Sequence, residues 1–229
     1  MTDAPRRARE ARLGRHRYGV VLSFAVVSVV FALIARDGSP ARAVGFLLAG
    51  ATLAVGVVTS EAPRRTRHGL AVAVVVLVVL GAILDAVGSP GPALILSGTT
   101  LLTAATIAVI AGGLVRLVLA RGVVVQAVLG ALAVYLLVGL TFAALVGAIA
   151  AVLDRPYFAG LGGAADAGVS DRTYYSFTVL TTTGFGDITP AVGVGRLLAV
   201  LEMLIGQLYL VTVISLLVGN LGRRHRSEA

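Results

Sequence analysis

The sequence predicts an all-α membrane protein with six transmembrane helices and a short re-entrant helix between the fifth and the sixth. Of its 229 residues, 58% are hydrophobic and 13% are charged, whereas about 25% of residues in soluble domains are charged. A soluble domain of this size could not cover so much apolar surface, so the chain must use lipid as a solvent. This composition excludes a disordered chain, and no nucleic-acid partner is expected although the net charge is +8.

Six apolar stretches are long enough to cross the hydrocarbon core, which takes about 20 helical residues. Asp85 lies near one end of the third stretch, and Glu202 is the charge well inside the sixth. The fifth stretch exceeds one crossing, so we expect it to tilt or to project beyond the bilayer. The six stretches cover residues 18–35, 43–60, 69–87, 93–115, 122–153 and 197–221.

The placement of arginines predicts the orientation, because short cytoplasmic loops retain positive charge. All 19 basic residues are arginines, and most of them fall on one side of the six-span arrangement. Both termini are therefore predicted to be cytoplasmic, in a multi-pass protein of the cell membrane. The arginines on the predicted cytoplasmic side are Arg6, Arg7, Arg9, Arg12, Arg15, Arg17, Arg64, Arg65, Arg67, Arg116, Arg121, Arg223, Arg224 and Arg226.

The basic arm before the first span, residues 1–17, has two interpretations. Its arginines can bind anionic lipid headgroups at the inner leaflet, or they can set the topology and do nothing more, which we favour. A basic start followed by an apolar run also resembles a signal peptide. That run is longer than the ~7–15 residues of a signal core, so we expect it to be retained as the first span.

Metal and thiol chemistry are not expected from this chain. It contains no cysteine, which excludes disulfides, thiolate metal sites and cysteine nucleophiles. His16, His68 and His225 each lie in a basic, polar segment without metal-ligand spacing. We expect all three to be solvated on the cytoplasmic side.

The segment between the fifth and sixth spans differs from the rest in its Gly, Asp, Tyr and Thr content. Residues 171–181 can form about three helical turns, too few to cross a bilayer, and Ser170 or Asp171 can cap their start. A glycine-rich stretch, residues 182–187, follows. Non-helical backbone at membrane depth is tolerated only where it is buried in protein or lines water. The pattern predicts a re-entrant pore loop; the alternative is an ordinary extracellular loop with a glycine turn.

Residues 181–187, Thr-Thr-Thr-Gly-Phe-Gly-Asp, resemble the signature of potassium channels, in which Tyr is commoner than Phe at the aromatic position. The resemblance extends to Pro190, to the pair Gly195–Arg196 and to Gly206, with spacings similar to those of small two-helix bacterial potassium channels. It covers residues 122 to about 221. It implies that four copies of the chain surround one pore as a homotetramer, with K⁺ as the permeant ion and no cofactor.

The resemblance also assigns the residues that bind the ion. A dehydrated K⁺ needs a cage of oxygens, which backbone carbonyls can supply, and glycines reach backbone conformations closed to other residues. The hydroxyl of Thr182 adds a final ring, and Phe185 points outward to pack against Tyr174 or Tyr175. The implied filter consists of Thr182, Thr183, Gly184, Phe185 and Gly186, with K⁺ at the carbonyls of Thr182, Thr183, Gly184 and Phe185.

Asp187 follows the filter and should lie at the extracellular pore mouth. A carboxylate there concentrates cations, and it can also make a structural hydrogen bond behind the filter; we expect both roles. The C-terminal end of the short helix, which carries about half a negative charge, should point at the central cavity and stabilise a cation there.

The sixth span carries the predicted gating features. Gly206 occupies the hinge position of the resembled channels, and the alternative to a hinge is close helix packing, for which glycine is common in membranes. Four residues at three- and four-residue steps share a helix face and should line the cavity. Glu202 can bond to the back of the short helix or titrate during gating, and we favour the structural role. The cavity-lining residues are Gln207, Leu210, Ile214 and Val218.

The predicted domains are the basic arm (1–17), a four-helix region (18–121), the pore domain (122–221) and a short cytoplasmic tail (222–229). The four-helix region lacks a voltage-sensor pattern, because residues 93–115 carry no charge and Arg116 lies at the cytoplasmic end.

The leading function is a potassium-selective channel that is not conventionally voltage-gated, and the nearest alternative is a weakly selective cation channel. A membrane enzyme is disfavoured because no nucleophile and base lie together, and a transporter because no inverted repeat is visible.

Overall fold

The computed structural model describes residues 17–35, 39–59, 92–153, 155–159, 161 and 167–220. The predicted third span, the arm before residue 17, the three histidines and the tail lie outside these residues. The helices within them are α1 (Arg17–Ile34), α2 (Ser39–Thr59), α3 (Pro92–Arg121), α4 (Val125–Ala150), α5 (Val169–Leu180) and α6 (Gly193–Leu208), and the strands are β1 (Phe158–Ala159) and β2 (Thr189–Pro190).

The membrane location of the chain follows from its helices. Among the described residues, three helices are long and apolar enough to cross a bilayer: Ser97–Leu119 within α3, Val125–Ala150, and Gly193–Asn220, which continues α6. The apolar parts of α1 and α2 are shorter, Tyr18–Ile34 and Val44–Thr59. A mostly helical membrane architecture is therefore confirmed, although two short strands depart from the all-α prediction, and the count of six spans stays a prediction.

Helix α4 lies at the centre of the described fold, since α1, α3, α5 and α6 all pack against it. Small residues permit this close packing, as is common between membrane helices. A Cβ atom added at Gly130 would lie 2.7 Å from Leu114 and 2.9 Å from Tyr18. Ala131 and Ala133 are fully buried. Helix α2 is further from the centre and packs on α1 and α3.

The short helix α5 lies between α4, α6 and α1. Two glycines of α4 leave room for its side chains: a Cβ at Gly139 would lie 2.8 Å from Phe177, and one at Gly147 would lie 2.8 Å from Arg172. The 12 residues of α5 are too few to span the hydrocarbon core. The predicted short helix between two long ones is therefore present.

A two-stranded antiparallel sheet joins the segment after α4 to the segment before α6. Phe158 pairs with Pro190, and the Ala191 amide donates to the carbonyl oxygen of Tyr157 at 2.8 Å. Tyr157 and Phe158 are almost fully buried against Tyr175. Burial raises the pKa of the Tyr157 hydroxyl, so that hydroxyl stays neutral. The sequence analysis did not predict this sheet.

Candidate pore loop

Helix α5 begins two residues earlier than predicted. Its N-cap is Gly168, and Asp171 lies at the third helical position, where Oδ2 accepts a hydrogen bond from the Gly168 amide at 3.1 Å. Ser170 Oγ instead donates to the carbonyl oxygen of Leu33 in α1, at 2.7 Å. Neither Ser170 nor Asp171 is therefore the N-cap. A carboxylate at the third position satisfies the amide of the cap residue in the same way as a capping box.

Along the backbone after α5, residues with a positive φ angle alternate with residues whose φ is not positive. The φ angle is +58° at Thr182, +50° at Gly184 and +82° at Gly186, and it is not positive at Thr183 or Phe185. Such alternation turns successive peptide groups the same way, as in the nests that gather N–H groups on one face. A positive φ at a β-branched residue such as Thr182 is a genuine outlier, and such strain clusters at functional sites.

The amides of this segment point toward the short helix. The Thr183 and Gly184 amides both donate to the carbonyl oxygen of Thr178, at 2.9 and 3.1 Å, and the Thr182 amide donates to Val179 at 2.9 Å. Within the described residues, the carbonyls of residues 182–185 accept no hydrogen bond. Three amides of the loop are therefore tied to α5, while the carbonyls of residues 182–185 accept no hydrogen bond within the described residues.

Threonine hydroxyls brace the start of the loop. Thr181 Oγ1 donates to the Phe177 carbonyl at 2.7 Å and lies 2.9 Å from Thr183 Oγ1. Thr182 Oγ1 donates to the Thr181 carbonyl at 2.6 Å, so its oxygen keeps lone pairs available. All three threonines are exposed in the single chain.

Phe185 and Asp187 both contact Tyr174. The rings of Phe185 and Tyr174 stack with centroids 6.4 Å apart and an angle of 4°, whereas Tyr175 packs instead on Phe158. Tyr174 Oη donates to Asp187 Oδ2 at 2.8 Å, and the Ile188 amide donates to Asp187 Oδ1 at 3.0 Å. The structural hydrogen bond expected of Asp187 is therefore observed, on a residue that remains exposed.

Helix α6 and its continuation to Asn220, here called the inner helix, approach the end of α5 at Gly206. A Cβ atom there would collide with the carbonyl oxygen of Leu180, so only glycine permits this contact. Helix α6 remains α-helical through Gly206, and a π-helical segment, Tyr209–Ile214, begins three residues later. Close packing is what this conformation displays, and the hinge role of Gly206 stays a prediction.

The π-helical segment alters the predicted cavity face. The expectation for Gln207, Leu210, Ile214 and Val218 assumed an uninterrupted α-helix, whereas a π turn contains more residues and rotates the helix beyond it. Ile214 packs against a buried cluster that includes Ala131 of α4, while Gln207 and Val218 are exposed. The cavity-lining role of all four residues stays a prediction.

Tyrosines that the sequence analysis did not assign to the site support the loop from behind. Tyr135 Oη donates to the Leu180 carbonyl at 3.3 Å, and its ring stacks on Tyr209 at 6.0 Å. Tyr209 Oη donates to the Ala131 carbonyl at 2.8 Å. No sequence pattern pairs Tyr135 with Tyr209. The signal in the sequence that could have pointed to these two tyrosines is a polar aromatic residue inside an apolar span.

Glu202 reaches the back of the short helix. It is 1% exposed, and its Oε1 lies 2.5 Å from Ser176 Oγ. Ser176 Oγ also lies 2.7 Å from the Gly139 carbonyl oxygen. The contact with the short helix that the sequence analysis favoured for Glu202 is therefore present.

In the described residues, two long helices pack against a short helix, and the short helix ends in a loop whose carbonyls at residues 182–185 accept no hydrogen bond. Residues 131–222 match a family model described as an ion channel. The match confirms the resemblance to an ion-channel family over this part of the chain and supports passive ion conduction; its description names no particular ion. No significant match was found among curated proteins or among solved structures.

Proposed function

We propose that the protein is a potassium-selective channel whose filter is the Thr-Thr-Thr-Gly-Phe-Gly-Asp segment. The observation that carries the proposal is the alternating backbone, with positive φ at Thr182, Gly184 and Gly186. Three amides of this segment, those of Thr182, Thr183 and Gly184, are tied to α5, and in this proposal its carbonyl oxygens form a row that faces the pore. Such a row can replace the water shell of a dehydrated cation.

A single chain cannot enclose an ion, so the proposal requires several copies. Each chain supplies one row of carbonyls, and fourfold symmetry closes the cage in the resembled family. Two observations support a partner at this face. Every residue from 181 to 187 is exposed in the single chain. Only 17% of the apolar 18-residue window in Gly193–Asn220 is buried, compared with 56% of the window in Val125–Ala150.

The surroundings of the loop favour cations. Asp187 remains exposed beside the loop and adds a carboxylate at the proposed pore mouth. The C-terminal end of α5 carries a partial negative charge and lies against the inner helix through Leu180 and Gly206. In this proposal both termini are cytoplasmic and the chain lies in the cell membrane.

The test of ion selectivity is a reversal potential measured on the purified protein in planar bilayers. We expect the potential to follow the K⁺ gradient when K⁺ on one side is exchanged for Na⁺, and Rb⁺ and Tl⁺ to permeate. A conducting protein whose reversal potential ignores this exchange would establish the alternative, a weakly selective cation channel. That alternative has its own support, because Phe185 lacks the hydroxyl with which a tyrosine at this position could hydrogen-bond to the aromatic residues of the short helix.

The tetramer is tested separately from conduction. Native mass measurement or cross-linking in mild detergent should give four copies of the 23.3 kDa chain. A monomer that conducts would contradict the requirement for several carbonyl rows.

A further inference from the structure

Ser176 occupies the point where three helices of the pore domain meet. Its Oγ atom lies 2.7 Å from the Gly139 carbonyl oxygen of α4 and 2.5 Å from Glu202 Oε1 of α6. Ser176 is fully buried and Glu202 is 1% exposed within a single chain. The contact is therefore already sealed in one subunit, whatever the number of copies in the assembly.

Counting hydrogens at this point restricts the protonation of Glu202. A serine hydroxyl carries one hydrogen, a carbonyl oxygen only accepts, and an ionised carboxylate only accepts. If Glu202 were ionised, one hydrogen would have to serve two acceptors, and one close oxygen pair would have no hydrogen between its atoms. A protonated Glu202 resolves this, because its own O–H then donates to Ser176 while Ser176 donates to Gly139.

In the part of the chain that the structure describes, no positive charge acts on Glu202. Among the described residues, the ionisable groups that interact with it are Tyr135, Tyr157 and Tyr175. Tyr135 donates its hydrogen to Leu180, and the hydroxyls of Tyr157 and Tyr175 have no hydrogen-bond partner in the same set. No tyrosine therefore supplies Glu202 with a hydrogen bond. Burying an ionised carboxylate without a partner charge is far more costly than burying the neutral acid.

We propose that Glu202 is a proton-binding site that holds a neutral carboxylic acid at neutral pH. Glu202 donates this proton in a hydrogen bond to Ser176, and Ser176 donates its own hydrogen to the Gly139 carbonyl. The two hydrogen bonds form a fixed relay. The relay joins α6, α5 and α4 directly behind the loop. Glu202 is accordingly a positioning residue, and the inference does not rest on which ion the pore conducts.

The test is infrared spectroscopy of the full chain in lipid at neutral pH. A protonated carboxylic acid has a C=O stretching band that ionised carboxylates lack. We expect this band in the wild type, and we expect it to shift when the protein is labelled with ¹³C-glutamate. Glu202→Gln should remove the band, whereas Asp171→Asn, which removes another carboxyl of the pore domain, should leave it unchanged.

Ser176→Ala provides a second arm that does not depend on how Glu202→Gln folds. It removes the acceptor of the proposed acid, so the band should remain but move in frequency. The absence of a glutamate band in the wild type would overturn the inference. So would a band that neither Glu202→Gln nor Ser176→Ala alters, because the protonated acid would then be a different glutamate.

Discussion

The pore domain, formed by α4, α5 and α6, and the N-terminal helices α1–α3 use their hydroxyl groups differently. In the pore domain, two side-chain hydroxyls bind carbonyls of other helices, Ser176 to Gly139 and Tyr209 to Ala131, beside hydroxyls such as those of Thr141 and Thr173 that bond within their own helix. In α1–α3, six hydroxyls donate to the carbonyl one turn earlier in their own helix. The latter group comprises Ser23, Ser28, Thr52, Thr59, Thr103 and Thr106.

The difference teaches how each region is specified. A hydrogen bond within one helix satisfies the hydroxyl but sets nothing about the neighbouring helix, so these six hydroxyls contribute to the contacts among α1–α3 only through van der Waals packing. Bonds between helices fix rotation and register. A row of carbonyls needs that precision, and the family match falls on the same region, residues 131–222.

The largest expected effect lies in the pore loop. Gly184→Ala and Gly186→Ala should each abolish conduction, because both residues have positive φ and an L side chain strains that conformation. Space is not the cause, since nothing lies within 4 Å of a Cβ at either position. Thallium flux into proteoliposomes measures the loss. Gly193→Ala is the control, since its Cβ also meets open space without a positive φ. Normal flux in either loop variant would show that this segment is not the filter.

The second effect compares packing in the two regions. Gly206→Ala should lower the free energy of unfolding by about 1–3 kcal/mol, because its Cβ collides with the Leu180 backbone. Gly45→Ala in α2 meets open space and should be neutral or stabilising by up to ~1 kcal/mol through helix propensity. Thermal unfolding in one detergent measures both. Equal melting temperatures for the two variants would remove this contrast between the regions.

A smaller effect separates the two kinds of hydrogen bond. Tyr209→Phe keeps the ring but loses the bond to Ala131, and should cost about 0.6 kcal/mol, the average for bonds between membrane helices. Thr106→Val removes a fully buried hydroxyl that only bonds Leu102 in its own helix, and should cost less. The measurement is the unfolding free energy of each variant in mixed micelles. A greater loss for Thr106→Val would reverse the comparison.

The smallest effect concerns voltage. Voltage sensing needs about three or four charges per subunit that move through the field, and residues 93–115 carry none. Open probability should therefore change little between about −100 and +100 mV, the range over which sensors respond. Single-channel recording across that range provides the test. A steep conductance–voltage curve, equivalent to about ten gating charges per tetramer, would place a sensor in the N-terminal region.

Local features of the sequence were predictable where local physics determines them. The expected boundaries of α1, α4 and α5 fall within three residues of those observed, because apolar length and turn chemistry set where helices begin and end. The start of α5 was misplaced because Gly168 has no capping side chain and Asp171 acts from the third position instead. The glycines of the loop were recognised, but a positive φ at Thr182 has no signature in residue type.

The inner helix shows what periodicity by itself does not reveal. A spacing of three and four residues assumes an α-helix, and the segment Tyr209–Ile214 is a π-helix. Tyr209 within it contacts Ala131, 78 positions away. A contact at that separation leaves no trace in local hydropathy, so neither the π turn nor the packing of Ile214 could be read from the chain.

The sequence by itself determined that the chain lies in lipid and that a short helix with a glycine-rich loop interrupts it, because composition and local backbone freedom decide both. Only the tertiary structure decided which hydroxyl meets which carbonyl. Ser176 lies 37 positions from Gly139 and 26 from Glu202. The charge state inferred for Glu202 depends on counting hydrogens where these three meet, and such a count exists only once the helices have packed.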